Sequence, residues 1–240
     1  MSLEPNGLNM AIRQQAETLE IYLYDDIEPD RYDWWSGAKI ESETSSKHVQ
    51  KILDENKNIR QIDLHINSNG GDVREGVGIY SLLARHPAKK TAYIDGFAAS
   101  IASVIAMACD TVVMSSVSLM FIHHAWMLAA GNANELRRAA DDLEKIDGQS
   151  TRAYKEHAGD KLPDETLQSL LDAETWLTPE ECLQYGLCEQ IETKQTEDPK
   201  TVAQRLHQNY KQQIMRQAAQ TNKTIIQKMA AQAAKKREEQ

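Results

Sequence analysis

Cysteine is scarce: Cys109, Cys182 and Cys188 are the only three in 240 residues. Three thiols form neither an even disulfide set nor a Cys/His zinc spacing, which argues against a stapled secreted domain or a zinc module and makes a reducing cytoplasm the expected compartment. Long apolar runs are also missing. The longest, Phe97 to Cys109, falls short of the roughly 20 residues a bilayer requires, so no membrane span is expected. The start, MSLEPNGLNMAIRQQ, lacks the basic stretch and apolar core of a signal peptide. No tandem repeat or low-complexity block is evident. The loop NSNGGD, Asn67 to Asp72, lacks the Gly-Lys-Ser/Thr ending of a phosphate loop. No metal, nucleotide or other cofactor is expected, and no nucleic-acid partner.

What is present is enough chain for one substantial core plus an appendage. Charge is unevenly placed. From Pro199 to the end there are nine Lys and Arg against two Glu, a net +7, leaving 18 basic and 34 acidic residues before it, a net −16. An acidic body therefore carries a basic tail. In that tail Val202, Leu206, Tyr210, Ile214, Ala218, Ile225 and Met229 recur in threes and fours apart from one gap, which predicts an amphipathic helix suited to an acidic partner surface. The expected organisation is an arm over residues 1–18, a main domain over 19–194 and a basic helical extension over 195–240.

Strand and helix signals alternate along the body. LEIYLYDDI, Leu19 to Ile27, alternates with period two, and DRYDWWSGAKI continues it loosely. SSKHVQKILDEN places Val49, Ile52 and Leu53 on one helical stripe; IRQIDLHINS is a second strand; VREGVGIYSLLARHP is a helix stopped at Pro87. TAYIDG, TVVMSS and SLMFIHHAWML read as further strands, with ASIASVIAMAC as a buried helix. Units of this length imply parallel crossovers and a sheet covered by helices, an α/β fold. Beyond Gly131 a charged element carries Leu136, Ala140, Leu143, Ile146, Ala153 and Tyr154 at helical spacing, interrupted at most by Gly148. About 25 helical residues span nearly 40 Å at ~1.5 Å each, more than one small core can cover. A helix from Pro163 to Ala173, and a Thr-Pro-Glu-Glu start with a Tyr-Gly stop in WLTPEECLQYGL, complete the body.

One hydroxyl stands out in YIDGFAASIASVIAMAC. Gly96 allows a tight turn, Ala98 and Ala99 permit close backbone approach, and Ser100 follows at the head of a helix. Parallel-sheet proteins place their sites at such turns, and a serine there has the geometry of a nucleophile elbow. The glycines of NSNGGD lie at the same end of a neighbouring strand, where their amides can converge with that of the residue after Ser100 into an oxyanion hole. A serine also needs a base. His123 and His124 end another strand, and period-two alternation turns only one of them toward Ser100.

Taken together, NSNGGDV, GFAASIAS, FIHHAW and WLTPEECLQYGL resemble the ClpP-type serine peptidases, above all the ClpP-like proteases encoded with bacteriophage head genes, over roughly Leu19 to Ile191. The resemblance implies a ClpP/crotonase-like fold of stacked ββα units with a protruding long handle helix. It also implies a Ser-His-acid triad. By motif Ser100 is the nucleophile, His123 the base, and Gly71 and Ile101 supply the oxyanion amides. The position matching the family aspartate is Glu174, with Asp172 two residues away. A glutamate can still orient the imidazole and hold its tautomer. The implied activity is an endopeptidase, ATP-independent or ATPase-assisted, acting on protein or peptide substrates. A homo-oligomeric ring is implied as well, with capsid or scaffold proteins as partners in head maturation. Glu for Asp, Ala125-Trp126 in place of a proline after the histidines, and the basic tail depart from the housekeeping members. Two rivals share the fold: a crotonase-type coenzyme A thioester enzyme, which does not need Ser100 with His123, and an inactive oligomeric shell component.

Overall fold

The computed structural model describes residues 12–15 and 17–192. The chain divides into two units, Met1–Thr193 and Lys194–Gln240. The amphipathic helix expected from Pro199 onward lies outside the described residues, as does most of the amino-terminal arm.

Among the described residues the first unit begins with β1 (Ile12–Gln15), antiparallel to β2 (Thr18–Leu23). The DRYDWWSGAKI stretch does not extend β2. It folds back as a separate hairpin of β3 (Arg31–Tyr32) and β4 (Lys39–Ile40). The Asp33 carboxylate accepts hydrogen bonds from the Trp35 and Ser36 amides, a local turn that outcompetes strand continuation. The helix α1 (Ser46–Glu55) is capped by Ser45 and buries Val49, Ile52 and Leu53. Next come β5 (Gln61–Ser68), α2 (Val73–Arg85), β6 (Lys89–Ala99), α3 (Ile101–Ala106), β7 (Thr111–Ser115) and β8 (Leu119–Ile122). The strand at TAYIDG runs on through Ala99, leaving the buried helix after it only six residues.

The main sheet has the order β1-β2-β5-β6-β7, parallel from β2 onward. Alternation supplies its core face: Leu19, Ile21 and Leu23, Ile62, Leu64 and Ile66, and Ala92 and Ile94 are buried. Each fully buried Leu or Ile is worth about 1.5–3 kcal/mol relative to exposure. The opposite face carries a stack of rings in register: Tyr22 on His65 at 4.5 Å and His65 on Tyr93 at 5.0 Å between centroids.

Strand β6 is forked. Thr91 to Ile94 pair with β7, whereas Phe97 to Ala99 pair with β8. This fork brings the end of β8 beside the end of β6.

The helix α4 (Ala133–Ala158) is continuous through Gly148 for 26 residues and starts with a capping box of Asn132 and Glu135. It buries only Ala153, Tyr154 and Ala158, all in its last turns. After it come α5 (Asp164–Asp172), β9 (Thr175–Leu177) antiparallel to β8, α6 (Pro179–Tyr185), and β10 (Gln190–Glu192) parallel to β7. Thr178 and Glu181 form a capping box at α6, and Gly186 ends it in the left-handed conformation. Among the described residues no helix is long and apolar enough to cross a membrane.

Candidate active site

Ser100 joins β6 to α3 with φ 55° and ψ −129°. For a residue with a Cβ this backbone costs on the order of 1–3 kcal/mol and persists only where surroundings over-determine it. They do so here. The Ser100 amide donates to Phe121 O at 2.9 Å, continuing the β6–β8 ladder, and the Ser100 carbonyl accepts from the Ser103 amide at 3.0 Å and the Ser103 hydroxyl at 2.6 Å. The Ser103 hydroxyl is in turn 2.6 Å from Tyr154 Oη of α4, both side chains being buried. Burial pushes the Tyr154 phenol well above its usual range, so it stays protonated.

The loop between β5 and α2 packs directly on this elbow. Ile27 brackets Gly71 as in a parallel bridge, its amide donating to Gly70 O at 2.6 Å and its carbonyl accepting from Asp72 N at 2.7 Å. The amide of Gly71 therefore points away from Ile27. Gly70 and Gly71 have φ of 94° and 141°. A Cβ on Gly70 would lie 2.6 Å from Ala99 O and 2.7 Å from Ser100 Cβ. Asp72 closes the loop by capping α2, accepting from the Arg74 and Glu75 amides. Burial opposes its charge, but Arg74 and those amides prevail and hold its carboxyl below the usual range. Among the described residues, neither the Gly71 amide nor the Ile101 amide has an acceptor.

The imidazole of His123 places Nε2 2.8 Å from Ser100 Oγ. Phe121 stacks on the same ring at 5.1 Å, and Trp176 of β9 stacks on Phe121 at 4.6 Å. Ser100, His123, Gly70 and Gly71 share a cleft of about 330 Å³ with Phe121 and Trp126 in its wall.

The carboxylates are distributed differently from the histidines. Glu174 sits exposed at φ 48° in the turn before β9, and among the described residues its side chain makes no hydrogen bond or ion pair. Asp172 reaches His124 Nε2 at 2.9 Å, and Asp147 of α4 reaches His124 Nδ1 at 2.5 Å. The structure thus brings Ser100, His123, Gly71 and Ile101 together, leaves Glu174 apart from His123, and assigns Asp172 to the neighbouring ring. Ser103, Tyr154 and Asp147 escape sequence reasoning. Ser103 lies within the stretch read there as a buried helix, Tyr154 on a helical stripe, and Asp147 within the charged element, none of which signals a contact with the site. Among the described residues no group of three or more His, Cys, Asp or Glu is placed to hold a metal ion.

Stacked parallel crossovers, a serine elbow and a helix projecting from the body define an α/β protein of the ClpP/crotonase type and a serine-type peptidase. The chain belongs to the Clp protease family, whose model matches residues 34–195. It is 29% identical over 159 residues to the ATP-dependent Clp protease proteolytic subunit of Deinococcus radiodurans, covering 65% of this chain and 77% of that one. Against proteolytic subunit 1 of Prochlorococcus marinus subsp. pastoris the identity is 26% over 159 residues, with 65% and 80% covered. Against the Bacteroides fragilis proteolytic subunit it is 28% over 134 residues, with 55% and 64% covered.

Proposed function

We propose that the chain is a ClpP-type serine endopeptidase that cleaves peptide bonds through an acyl-enzyme on Ser100. Ser100 Oγ attacks the scissile carbonyl while His123 Nε2 takes its proton, and the Gly71 and Ile101 amides donate to the carbonyl oxygen as it becomes an oxyanion. The imidazolium returns the proton to the departing amine. Water then repeats the sequence, releasing the acyl product and restoring the serine.

Glu174 is the proposed acid. The β8–β9 ladder ends with Ile122 paired to Thr175, and His123 and Glu174 are the residues next to that last pair in the chain, which supports the assignment. The role requires that exposed side chain to turn toward His123 Nδ1. Asp172 is the weaker candidate because His124 already engages it.

The single observation that carries this reading is the 2.8 Å contact between Ser100 and His123 beside two amides without acceptors. The decisive experiment labels the full chain with a fluorophosphonate and follows cleavage of a fluorogenic peptide. Ser100→Ala should lose both the label and on the order of 10⁴-fold or more in rate. Undiminished hydrolysis by that variant would overturn the assignment.

The finer reading is a homo-oligomeric ring, with or without an ATPase, acting in the cytoplasm on capsid or scaffold proteins during phage head maturation. Support comes from the sequence likeness, the basic extension from Pro199 and the helix α4. Leu136 and Ile146 of that helix are exposed in the protomer and offer apolar surface to a neighbouring copy. Native mass spectrometry tests the ring, and cleavage of a co-expressed head protein tests the substrate.

A further inference from the structure

The two adjacent histidines have different surroundings. His123 is directed to Ser100, whereas both ring nitrogens of His124 meet carboxylates: Nδ1 to Asp147 at 2.5 Å and Nε2 to Asp172 at 2.9 Å. A neutral imidazole has one N–H and can donate to only one carboxylate, so this arrangement belongs to the imidazolium. The other oxygen of Asp147 accepts the Ala125 amide at 2.9 Å. Asp147 therefore holds the side chain of residue 124 and the backbone of residue 125, the two residues that follow His123. That restraint falls where it is needed, because β8 ends at Ile122 and no regular element follows until α4 begins at Ala133.

The other half of the catalytic pair is tied to the same helix. Tyr154 is seven residues beyond Asp147, two turns along α4 and so on the same face. Through Ser103 it reaches the carbonyl of Ser100. One rigid helix thus spaces the serine elbow and the segment carrying the base.

We infer that His124, as a cation held between Asp147 and Asp172, is a positioning residue that fixes His123 against Ser100 and does so only while it is protonated. The inference rests on Ser100 and His123 being the catalytic pair. The titratable groups around His124 are Asp147 and, beside it, Tyr154 on α4, Asp172 at the end of α5, and His123 on its own segment. Among the described residues neither carboxylate has another cationic partner. Burial opposes the charge of His124, but the hydrogen bonds and attraction of Asp147 and Asp172 outweigh it and raise its pKa above the ordinary imidazole value. The clamp is therefore lost as pH rises through that raised value. The alkaline limb reports His124.

The test is the pH dependence of kcat and kcat/KM for a short fluorogenic peptide on the full chain, with melting followed by circular dichroism at each pH. Wild type should show an alkaline fall without unfolding. Asp147→Asn removes a carboxylate that favours the cation and should move that fall by about one pH unit or more toward neutrality. His124→Arg, charged at every accessible pH and able to donate to both carboxylates, should keep turnover within about tenfold at neutral pH and abolish the fall. His124→Ala should lose on the order of 10²-fold in kcat, the cost of a misplaced catalytic group, with KM changed far less. The inference is overturned by a wild-type profile flat to high pH, by an alkaline limb that Asp147→Asn leaves in place, or by wild-type kcat in His124→Ala. Should His124→Ala not fold, the Asp147→Asn and His124→Arg pair decides. A Ser100→Ala variant that still hydrolyses peptide would remove the peptidase reading itself. Loss of hydrolysis in Ser100→Ala together with an unmoved limb would remove only the role of His124.

Discussion

Ile122 of β8 and Thr175 of β9 are the last antiparallel pair of their ladder, and His123 and Glu174, the proposed base and acid, are the residues next to that pair in the chain. Glu174→Gln should therefore cut kcat by 10²- to 10⁴-fold at neutral pH, because an amide in that place lets the imidazole adopt the wrong tautomer. Asp172→Asn, whose amide oxygen can still accept from His124 Nε2, should cost much less than Glu174→Gln at neutral pH and act chiefly by moving the alkaline limb. Single-turnover hydrolysis of a fluorogenic peptide measures both, and the opposite ranking would make Asp172 the acid.

Two glycines should respond in opposite directions to alanine. A Cβ on Gly70 meets the Ala99 carbonyl and Ser100 Cβ, neither of which can yield without moving the elbow, and its φ of 94° suits no L side chain. Gly70→Ala should lower kcat by about 10²-fold or more and destabilise by on the order of 1–3 kcal/mol. Gly148, inside α4, has nothing within 4 Å of an added Cβ. Gly148→Ala should stabilise by about 0.5–1 kcal/mol. Chemical denaturation compares the two.

The link from Tyr154 through Ser103 to the Ser100 carbonyl should be most sensitive at its centre. Tyr154→Phe leaves the Ser103 hydroxyl its bond to Ser100 and should cost about 1 kcal/mol. Ser103→Ala strands a buried phenol and frees the elbow, so it should cost about 1–3 kcal/mol and also lower kcat. Equal kcat in the two variants would show that the link is structural only.

Asp26 lines the cleft that holds Ser100 and His123, where among the described residues no Lys or Arg accompanies it and its carboxylate accepts only a 3.4 Å contact from Asn69. Substrates with Lys or Arg close to the scissile bond should be preferred. Because Asp26 is exposed, Asp26→Asn should weaken that preference by only about two- to fivefold. Mass-spectrometric mapping of cut sites in a peptide library reads the change, and an unaltered profile would dissociate Asp26 from selectivity.

Much of the architecture is legible from periodicity. Alternation at Ile62, Leu64 and Ile66 identifies a strand with one buried face, and the stripe Val49, Ile52, Leu53 identifies a helix, since each pattern commits many residues to one surface. Short elements escape this reading. Gln190 to Glu192 is a strand only because β7 offers it a parallel edge, and the Trp34-Trp35 turn interrupts a run of strand-forming residues through side-chain bonds from Asp33. The continuity of α4 through Gly148 reflects magnitude: about 1 kcal/mol of lost propensity is small beside a capped helix of 26 residues.

By itself the sequence determined the kinds of chemistry available: a serine between small residues at a strand end, glycines on the adjacent loop, and a histidine pair of which alternation turns one ring toward the serine. These are local properties, set by φ freedom, side-chain size and the period of a strand. Only the tertiary structure decided which groups meet. The fork of β6 between β7 and β8 sets His123 against Ser100, and α4 brings Asp147 to His124 from 23 residues away and Tyr154 to Ser103 from 51. Contacts at that separation leave no periodic trace, because they depend on where two elements cross rather than on what either one repeats.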